Sequence, residues 1–266
     1  MELSAAEIRR AVQAALAEDI GSGDATTLAI VPEAAMAKAV MRAREPLAVA
    51  GLDFAEAAFC EVSSAVRVKR LVPDGRRVKA GANLLKISGP ARVILSAERV
   101  ALNFVQRLSG IATVTAQFLD ATKGTHAQIL DTRKTTPGWR HFEKYAVACG
   151  GGGNHRLGLF DMVLIKDNHL AMLRGTKPNA IAAAVRRARE KFPQLKIEVE
   201  TDMLEQAGQA AEAGADIVLL DNMKPAQLRL AVQKIKGRAN RGHRHDRHRR
   251  SGSGDWRRRL GSRAIR

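Results

Sequence analysis

The sequence predicts an α/β protein whose second half carries a parallel β-sheet. From residue 126 on, short apolar runs alternate with amphipathic segments of about ten to fifteen residues, which is the pattern of βα units. Four of the apolar runs end in charged residues. Such charges add no stability to a buried strand, whereas α/β barrels build their sites at the carboxyl ends of the strands. These observations predict a βα barrel with a site at that face.

The segment before the predicted barrel is expected to mix helices with short strands. Charged residues separate apolar ones at helical spacing near the N-terminus, which predicts an amphipathic helix rather than a signal peptide. These apolar residues are Leu3, Ile8, Val12, Leu16 and Ile20. In residues 66–95, Asp74-Gly75 and Gly81 interrupt β-branched runs, which predicts a small β-rich layer with tight turns.

A helix is predicted over residues 96–110, with Ser96 as its N-cap and Gly110 at its end. Its apolar stripe is Val100, Phe104 and Leu108. Its opposite face carries Arg99, Asn103 and Gln106. A separate helix over residues 113–124 follows, ending at Gly124.

Four strands and three further helices are predicted in the remaining chain. The strands fall within 126–135, 161–169, 196–201 and 216–222. The helices fall within 178–192, 203–215 and 224–237. The charges at the strand ends are Asp131, Arg133, Lys134, Lys166, Asp167, Glu198, Glu200 and Asp221.

The charged residues suit a small ligand that carries several negative charges. Five cations could meet in one cleft: Arg99, Arg133, Lys134, Arg156 and Lys166. Arginine binds carboxylates and phosphates through a planar fork, and lysine acts as a more flexible point charge. Glu200 and Asp221 supply the oxygen ligands that hold Mg²⁺ beside substrate phosphates.

The four glycines at 150–153 leave two interpretations open. Their backbone N–H groups could approach an anion closely, or the run could be a flexible loop without a ligand. It matches neither the GxGxxG fingerprint nor a P-loop. His126, His141 and His169 have no paired metal-binding spacing, and neither cysteine has a second cysteine close to it, so we expect no zinc site.

The net charge of +17 points at first to nucleic acid or an acidic membrane surface. Residues 237–266 contribute +9 of that charge and the other residues +8. Two cysteines are too few for a disulfide framework. No apolar run approaches the ~18 residues of a membrane span. We therefore expect a cytoplasmic protein without a membrane partner.

Several motifs occur in a characteristic order along the chain. The downstream motifs are DTRKTTPG at 131–138, EKYAVACGGGGNHRLGLFDMVLIKDNH at 143–169, EVET at 198–201 and IVLLDNM at 217–223. The upstream motifs are AEDIGSGDATT at 17–27, DGRRVKAG at 74–81 and ERVALNFVQRLSGIAT at 98–113. Together they resemble the quinolinate phosphoribosyltransferase family over roughly residues 5–237, and the combination DTRKT, GGGxNHR and LIKDNH is highly specific.

The resemblance implies an N-terminal open α/β sandwich at 1–108 and a C-terminal α/β barrel of fewer than eight strands at 109–237. It also implies a dimer, or a multiple of dimers, in which the sandwich of one subunit covers the barrel mouth of the other. The implied reaction joins quinolinate to phosphoribosyl pyrophosphate and gives nicotinate mononucleotide, pyrophosphate and CO₂, a step of NAD biosynthesis.

The resemblance also implies the roles of individual residues. Arg133, His155 and Arg156 match positions that hold the quinolinate carboxylates, and Arg99 matches one that reaches the pocket from the partner subunit. Lys134 and Lys166 match catalytic positions between quinolinate and the phosphoribosyl group. Glu200 and Asp221 match positions that bind the ribose and Mg²⁺.

The last segment departs from the family pattern. Residues 239–266 carry no strand or helix periodicity, where the family has Ser-Gly-Gly and Val-Gly-Ala loops that bind the 5′-phosphate. We expect residues 238–266 to form a disordered basic tail, the last barrel strands to be missing, and phosphoribosyl pyrophosphate binding and stability to be reduced. A reading-frame shift near residues 238–240 is our hypothesis, and resequencing the gene tests it.

Two alternative functions remain at this point. The first is a related barrel protein of the molybdenum-transport-associated type. Against it stands the full set of Arg133, Lys134, His155, Arg156 and Lys166, since a different ligand would not need all five. The second is nucleic-acid binding by the arginine-rich tail, since such segments bind phosphates without sequence specificity. The tail has one aromatic residue, Trp256, and no recognition module, so we expect no specific nucleic-acid partner.

Overall fold

The computed structural model describes the backbone of residues 1–242 and the side chains of residues 1–236. The chain forms two compact units. Unit 1 comprises Met1–Gly124 and Gln128–His155, and unit 2 comprises Thr125–Ala127 and the described residues from Arg156 on. One helix, α4, continues across the predicted domain boundary at residue 108, and the assignment of domains at 1–108 and 109–237 stays a prediction.

Unit 1 packs helices against small antiparallel sheets. Its helices are α1 (Ala5–Ile20), α2 (Ala25–Ile30), α3 (Leu52–Val62), α4 (Ala91–Ala121) and α5 (Arg140–Cys149). Its strands are β1 (Met36–Arg42), β2 (Leu47–Ala48), β3 (Arg67–Arg70), β4 (Arg77–Val78) and β5 (Asn83–Pro90). The sheets have the orders β1-β5-β3 and β2-β4, so the predicted β-rich layer is confirmed.

The N-terminal helix is also confirmed. Ser4 and Glu7 form a reciprocal capping box at the start of α1, which satisfies backbone N–H groups that the first turn leaves unpaired. The inward face of α1 buries Ile8, Val12 and Leu16. The apolar spacing in the sequence therefore identified the core-facing side of this helix.

The α4 helix corrects two predictions. It runs unbroken from Ala91 to Ala121, through Gly110, where we expected it to end. Ser96 lies inside the helix and donates to the Asp24 carboxylate at 3.0 Å instead of capping it. A glycine within a helix costs only about 1 kcal/mol relative to alanine, and the buried stripe continues past it. That stripe includes Val100, Phe104, Leu108, Ala112 and Ala116.

Unit 2 contains a parallel sheet covered by helices. Its strands are β6 (Val163–Ile165), β7 (Ile197–Thr201) and β8 (Ile217–Leu220), in the order β6-β7-β8. Its helices are α6 (Asp167–Ala171), α7 (Ala180–Lys191), α8 (Leu204–Glu212) and α9 (Pro225–Gly242). The predicted parallel βα arrangement is confirmed for these three strands.

Three other expectations differ from the structure or go beyond it. No strand forms at 126–135, because this segment makes only one β-bridge, between Leu130 and Gly153. Over the described residues the parallel sheet is open, so the barrel is not confirmed. The last helix extends past Gly237 to Gly242, and the expectations for 243–266 lie outside the described residues. Among the helices described here, none is long and apolar enough to cross a membrane.

Candidate active site

A buried ion pair organises the DTRK segment in unit 1. The Nζ atom of Lys144, on α5, lies 2.5 Å from an Asp131 carboxylate oxygen, and the Lys144 side chain is 0% exposed. Asp131 also accepts hydrogen bonds from Asn154 Nδ2 at 2.7 Å and from the His155 backbone N–H at 2.8 Å. Lys144 donates in addition to the His155 carbonyl at 3.0 Å. We call Asp131, Lys144 and Asn154, which together hold the His155 backbone, the Asp131 network.

The predicted cations Arg133 and Lys134 lie two and three residues after Asp131. Arg133 is half-buried, and its Nε atom is buried without a hydrogen-bond partner. A buried guanidinium nitrogen without a partner is costly, and a ligand carboxylate would satisfy it. Lys134 is exposed. The segment therefore offers one partly enclosed cation and one accessible cation.

Glu143, the residue before Lys144, fixes the other end of this loop. Its carboxylate accepts from Thr136 Oγ1 at 2.7 Å and from Arg107 of α4 at 2.8 Å. Burial alone would raise the pKa of Glu143, but the hydrogen bonds from Arg107 and Thr136 hold that pKa below its usual value. Trp139 stacks on Phe104 with a ring-centroid distance of 5.2 Å, so its indole covers the core of unit 1.

The glycine run does not form an anion-binding loop. The N–H groups of all four glycines, 150–153, donate to backbone carbonyls of Ala146, Ala148, Val147 and Ile129. A Cβ atom at Gly150 would lie 2.4 Å from the Ala112 carbonyl oxygen, and one at Gly153 would lie 2.7 Å from Leu130. The anion-binding interpretation is therefore wrong, and the glycines instead allow close packing against α4 and residue 130.

In unit 2, the parallel strands bring Lys166 and Glu200 together. Residue 199 pairs with 165 and 218, so the odd-numbered β7 residues Ile197 and Val199 share one face with Ile165. That face packs on α7 and α8 through Ile181, Val185 and Ala210. Glu198, Glu200 and Lys166 lie on the opposite face because side chains alternate along a strand. The Lys166 Nζ atom lies 2.9 Å from Glu200 Oε2.

Asp221 follows β8 on the same face as Glu200. Its backbone N–H donates to the Thr201 carbonyl at 2.9 Å, which holds it beside the end of β7. Asn222, which follows it, adopts a left-handed backbone with φ 54°. The carboxyl ends of β6, β7 and β8 therefore place Lys166, Glu200 and Asp221 at one edge of the sheet, as the sequence predicted.

The remaining predicted residues lie in well-formed local structure. Arg156 donates to the Met162 carbonyl at 3.1 Å, across a turn in which Asp161 accepts from the N–H groups of Leu157 and Gly158. His169 accepts from the Lys166 backbone N–H at 2.9 Å through Nδ1, so it caps α6. Arg99 lies on the exposed face of α4.

The described residues contain no cluster of three or more histidine, cysteine or carboxylate side chains that could hold a metal. Glu200 and Asp221 supply two carboxylates, so a divalent cation there would need further oxygen ligands from water or a substrate. Mg²⁺ binds in this way, through one or two carboxylates and substrate phosphates.

Sequence reasoning missed the Asp131 network. It identified Asp131 as a strand-end charge and quoted Lys144 within a motif, but it assigned neither residue a partner. A lysine between aromatic and apolar residues in FEKYAV is a signal for burial, since a buried lysine needs a counter-charge.

Comparisons with known proteins identify the family of this chain. The N-terminal domain model of quinolinate phosphoribosyl transferase matches residues 24–109, and the C-terminal domain model matches residues 111–254. The motif resemblance ended near residue 237. The C-terminal model continues past that point, to residue 254.

Individual relatives agree with the family models. The nicotinate-nucleotide pyrophosphorylase [carboxylating] of Mycobacterium leprae is 44% identical over 234 residues, which are 87% of this chain and 81% of that protein. The structure of NadC from Streptococcus pyogenes is 41% identical with a TM-score of 0.84, over 90% of this chain and 83% of that one. The nicotinate-nucleotide pyrophosphorylase of Francisella tularensis is 39% identical with a TM-score of 0.83, over 89% and 82%. Neither alternative function gains support from these similarities.

Proposed function

The chain belongs to the quinolinate phosphoribosyltransferase family, and we propose that it transfers the phosphoribosyl group of phosphoribosyl pyrophosphate to quinolinate with loss of CO₂. The products are nicotinate mononucleotide, pyrophosphate and CO₂, in NAD biosynthesis. The observation that carries this proposal is the placement of Lys166, Glu200 and Asp221 on one face at the carboxyl ends of β6, β7 and β8. Lys166 supplies a positive charge for the donor's phosphate groups, and Glu200 and Asp221 supply negative charges for its ribose.

The cations hold the dicarboxylate substrate. In unit 1, Arg133 and His155 bind quinolinate carboxylates, and the unpartnered Arg133 Nε supports this role. Arg156, which belongs to unit 2, has the same role by motif. Orientation of the two substrates supplies much of the catalysis, because the reaction needs no covalent nucleophile.

The carboxylates and lysines stabilise the charges that develop during transfer. As the bond from ribose C1 to pyrophosphate breaks, C1 becomes positive and the leaving group negative. Glu200 and Asp221 stabilise the ribose cation, while Lys134 and Lys166 act on the substrate anions. Quinolinate nitrogen then bonds to C1, and the resulting pyridinium stabilises the electron pair that CO₂ leaves on the ring carbon. A proton from a lysine or from water completes the step.

Mg²⁺ is the cofactor that the donor set fits. Glu200 and Asp221 would hold it together with water and diphosphate oxygens, and it would neutralise charge on the leaving group. One Glu200 oxygen accepts from Lys166 and is less available to a metal. Mg²⁺ would therefore be bound partly through water or substrate oxygens.

We further propose that the parallel sheet belongs to an α/β barrel and that the protein is a homodimer, or a multiple of dimers, with Arg99 contributed across the interface. Unit 1 supports this with an exposed apolar surface beside α4, formed by Ile30, Met36 and Leu95. The Arg92 side chain donates to the Val31 carbonyl and the Ala91 N–H to the Ala35 carbonyl, so these exposed residues are neighbours. Arg99 lies one helical turn beyond Leu95 on α4.

The test is product formation by the purified chain. We expect nicotinate mononucleotide and CO₂ only when quinolinate, phosphoribosyl pyrophosphate and Mg²⁺ are all present. Glu200→Gln should abolish most product while leaving quinolinate binding by calorimetry intact, and Lys234→Met serves as a control, since Lys234 pairs with Glu205 at the surface. A folded chain that forms no product overturns the transfer reaction, and one that also fails to bind quinolinate overturns the substrate assignment. The cytoplasmic location stays a prediction.

A further inference from the structure

We propose that the Asp131 network positions Arg133 and His155 for quinolinate, so that Asp131, Lys144 and Asn154 are positioning residues. The proposal rests on the proposed function, because it concerns what holds the two residues that this function assigns to the substrate. Nothing in the motif resemblance gave these three residues a role.

The Asp131 and Lys144 side chains are buried and contact other protein groups rather than solvent. The Asp131 carboxylate is 7% exposed and accepts from Lys144, Asn154 and His155. The Lys144 side chain is fully buried, so it cannot contact a substrate that arrives from solvent. The Asn154 amide joins the same group, since its Nδ2 also donates to the Lys144 carbonyl at 2.9 Å.

The contacts act directly on the two ligand-holding segments. Asp131 fixes the His155 N–H, and Lys144 fixes the His155 carbonyl, so one ion pair sets both peptide groups of this residue. Asp131 also stands two positions before Arg133 on a segment without regular secondary structure. A change at Lys144 therefore displaces the backbone of both segments, and a misplacement of about 1 Å can reduce a rate about 10²-fold.

A purely structural role is the competing explanation. Buried ion pairs often give no more stability than apolar residues of similar volume. A gain in stability is therefore not a sufficient reason for the Lys144–Asp131 pair. The two roles differ in what they predict for the substrates. Positioning affects quinolinate selectively, whereas general destabilisation leaves the affinity of the folded fraction unchanged.

The experiment compares four variants of the full chain: Lys144→Met, Asn154→Ala, Arg133→Met and Tyr145→Phe. Tyr145 is the matched control, because it follows Lys144 on α5 and its hydroxyl donates to Asp74 at 2.8 Å, outside the network. Each variant is measured by urea unfolding, by calorimetric quinolinate binding without the second substrate, and by KM for each substrate.

We expect Lys144→Met and Asn154→Ala to raise the Kd and KM for quinolinate roughly tenfold or more, with KM for phosphoribosyl pyrophosphate within about twofold. Tyr145→Phe should lose stability without a change in quinolinate affinity. If Lys144→Met does not fold, Asn154→Ala decides, since it keeps both buried charges.

Wild-type quinolinate affinity in both network variants overturns the positioning role. If Arg133→Met weakens binding in that case, the proposed function stands and only the network proposal fails. If Arg133→Met also binds normally, the substrate assignment itself is wrong.

Discussion

Two lysine–carboxylate pairs, one in each compact unit, have similar chemistry and different surroundings. The Lys144–Asp131 pair of unit 1 has a nitrogen–oxygen distance of 2.5 Å and side chains that are 0% and 7% exposed. The Lys166–Glu200 pair of unit 2 has a distance of 2.9 Å and side chains that are 38% and 16% exposed. Each pair joins residues that are distant in sequence.

The difference separates two uses of the same charges. The buried pair is saturated by protein groups, so its charges serve to fix neighbouring backbone. The Lys166–Glu200 pair is partly exposed, so Lys166 can exchange its contact with Glu200 for a contact with a substrate anion. Burial, rather than residue type, distinguishes a charge that organises a site from one that acts in it.

The largest effect should come from breaking the buried pair on one side. Lys144→Met leaves the Asp131 carboxylate buried without its cation, and such a loss costs about 3–5 kcal/mol. Urea unfolding should show a decrease in unfolding free energy of this size. The double variant Lys144→Met/Asp131→Asn should recover part of it, and a double variant that is worse than both single ones would contradict the pairing.

Breaking the Lys166–Glu200 pair should affect activity more than stability. Lys166→Met should lower product formation on the order of 10²–10³-fold, with a smaller decrease in unfolding free energy than Lys144→Met, because Lys166 is partly exposed. Lys234→Met, which removes a surface pair with Glu205, should leave activity unchanged. Equal activity of the Lys166→Met variant and wild type would place Lys166 outside the active machinery.

The packing of the glycine run, which leads from α5 to Asn154 and His155, can be tested independently. Gly150→Ala places a Cβ atom 2.4 Å from the Ala112 carbonyl and should cost about 1–3 kcal/mol by overpacking. Gly110→Ala is the control, since nothing lies within 4 Å of its added Cβ, and it should stabilise α4 by about 0.5–1 kcal/mol. A lower melting temperature for Gly150→Ala and a higher one for Gly110→Ala would confirm that Gly150 packs closely against α4. An unchanged melting temperature for Gly150→Ala would refute this packing.

The smallest effect concerns a third, part-buried pair, Glu7 and His141. Glu7 accepts from Ser4 and lies 2.8 Å from His141 Nδ1, and the hydrogen bonds from Ser4, followed by that of His141, lower the Glu7 pKa from 4.5 to about 2. A lowered folded-state pKa stabilises the protein above pH 4.5, and this contribution disappears as the pH falls towards 2. Unfolding measured between pH 5 and 2 should show a weaker acid dependence in Glu7→Gln than in wild type. An identical pH dependence of the unfolding free energy in Glu7→Gln and wild type would be evidence against the lowered pKa of Glu7.

The sequence predicted unit 2 better than the loops of unit 1. Periodicity located β6, β7 and β8, and the charges at their ends identified Lys166, Glu200 and Asp221, because strand ends in a parallel sheet converge by geometry. The Asp131–Lys144 pair could not be predicted in this way, since it depends on how a loop folds against α5. Gly110 misled for a related reason: local propensity indicated a helix end, and the continuous buried stripe of α4 outweighed it.

The α4 helix also affects how the chain can be divided. The two family models meet at residues 109 and 111, inside one helix of 31 residues that is about 46 Å long. A chain cut at Gly110 would split a single buried stripe and leave Leu108 on one fragment and Ala112 on the other. The boundary between the two family models therefore falls inside a single helix, and fragments for expression should keep α4 whole.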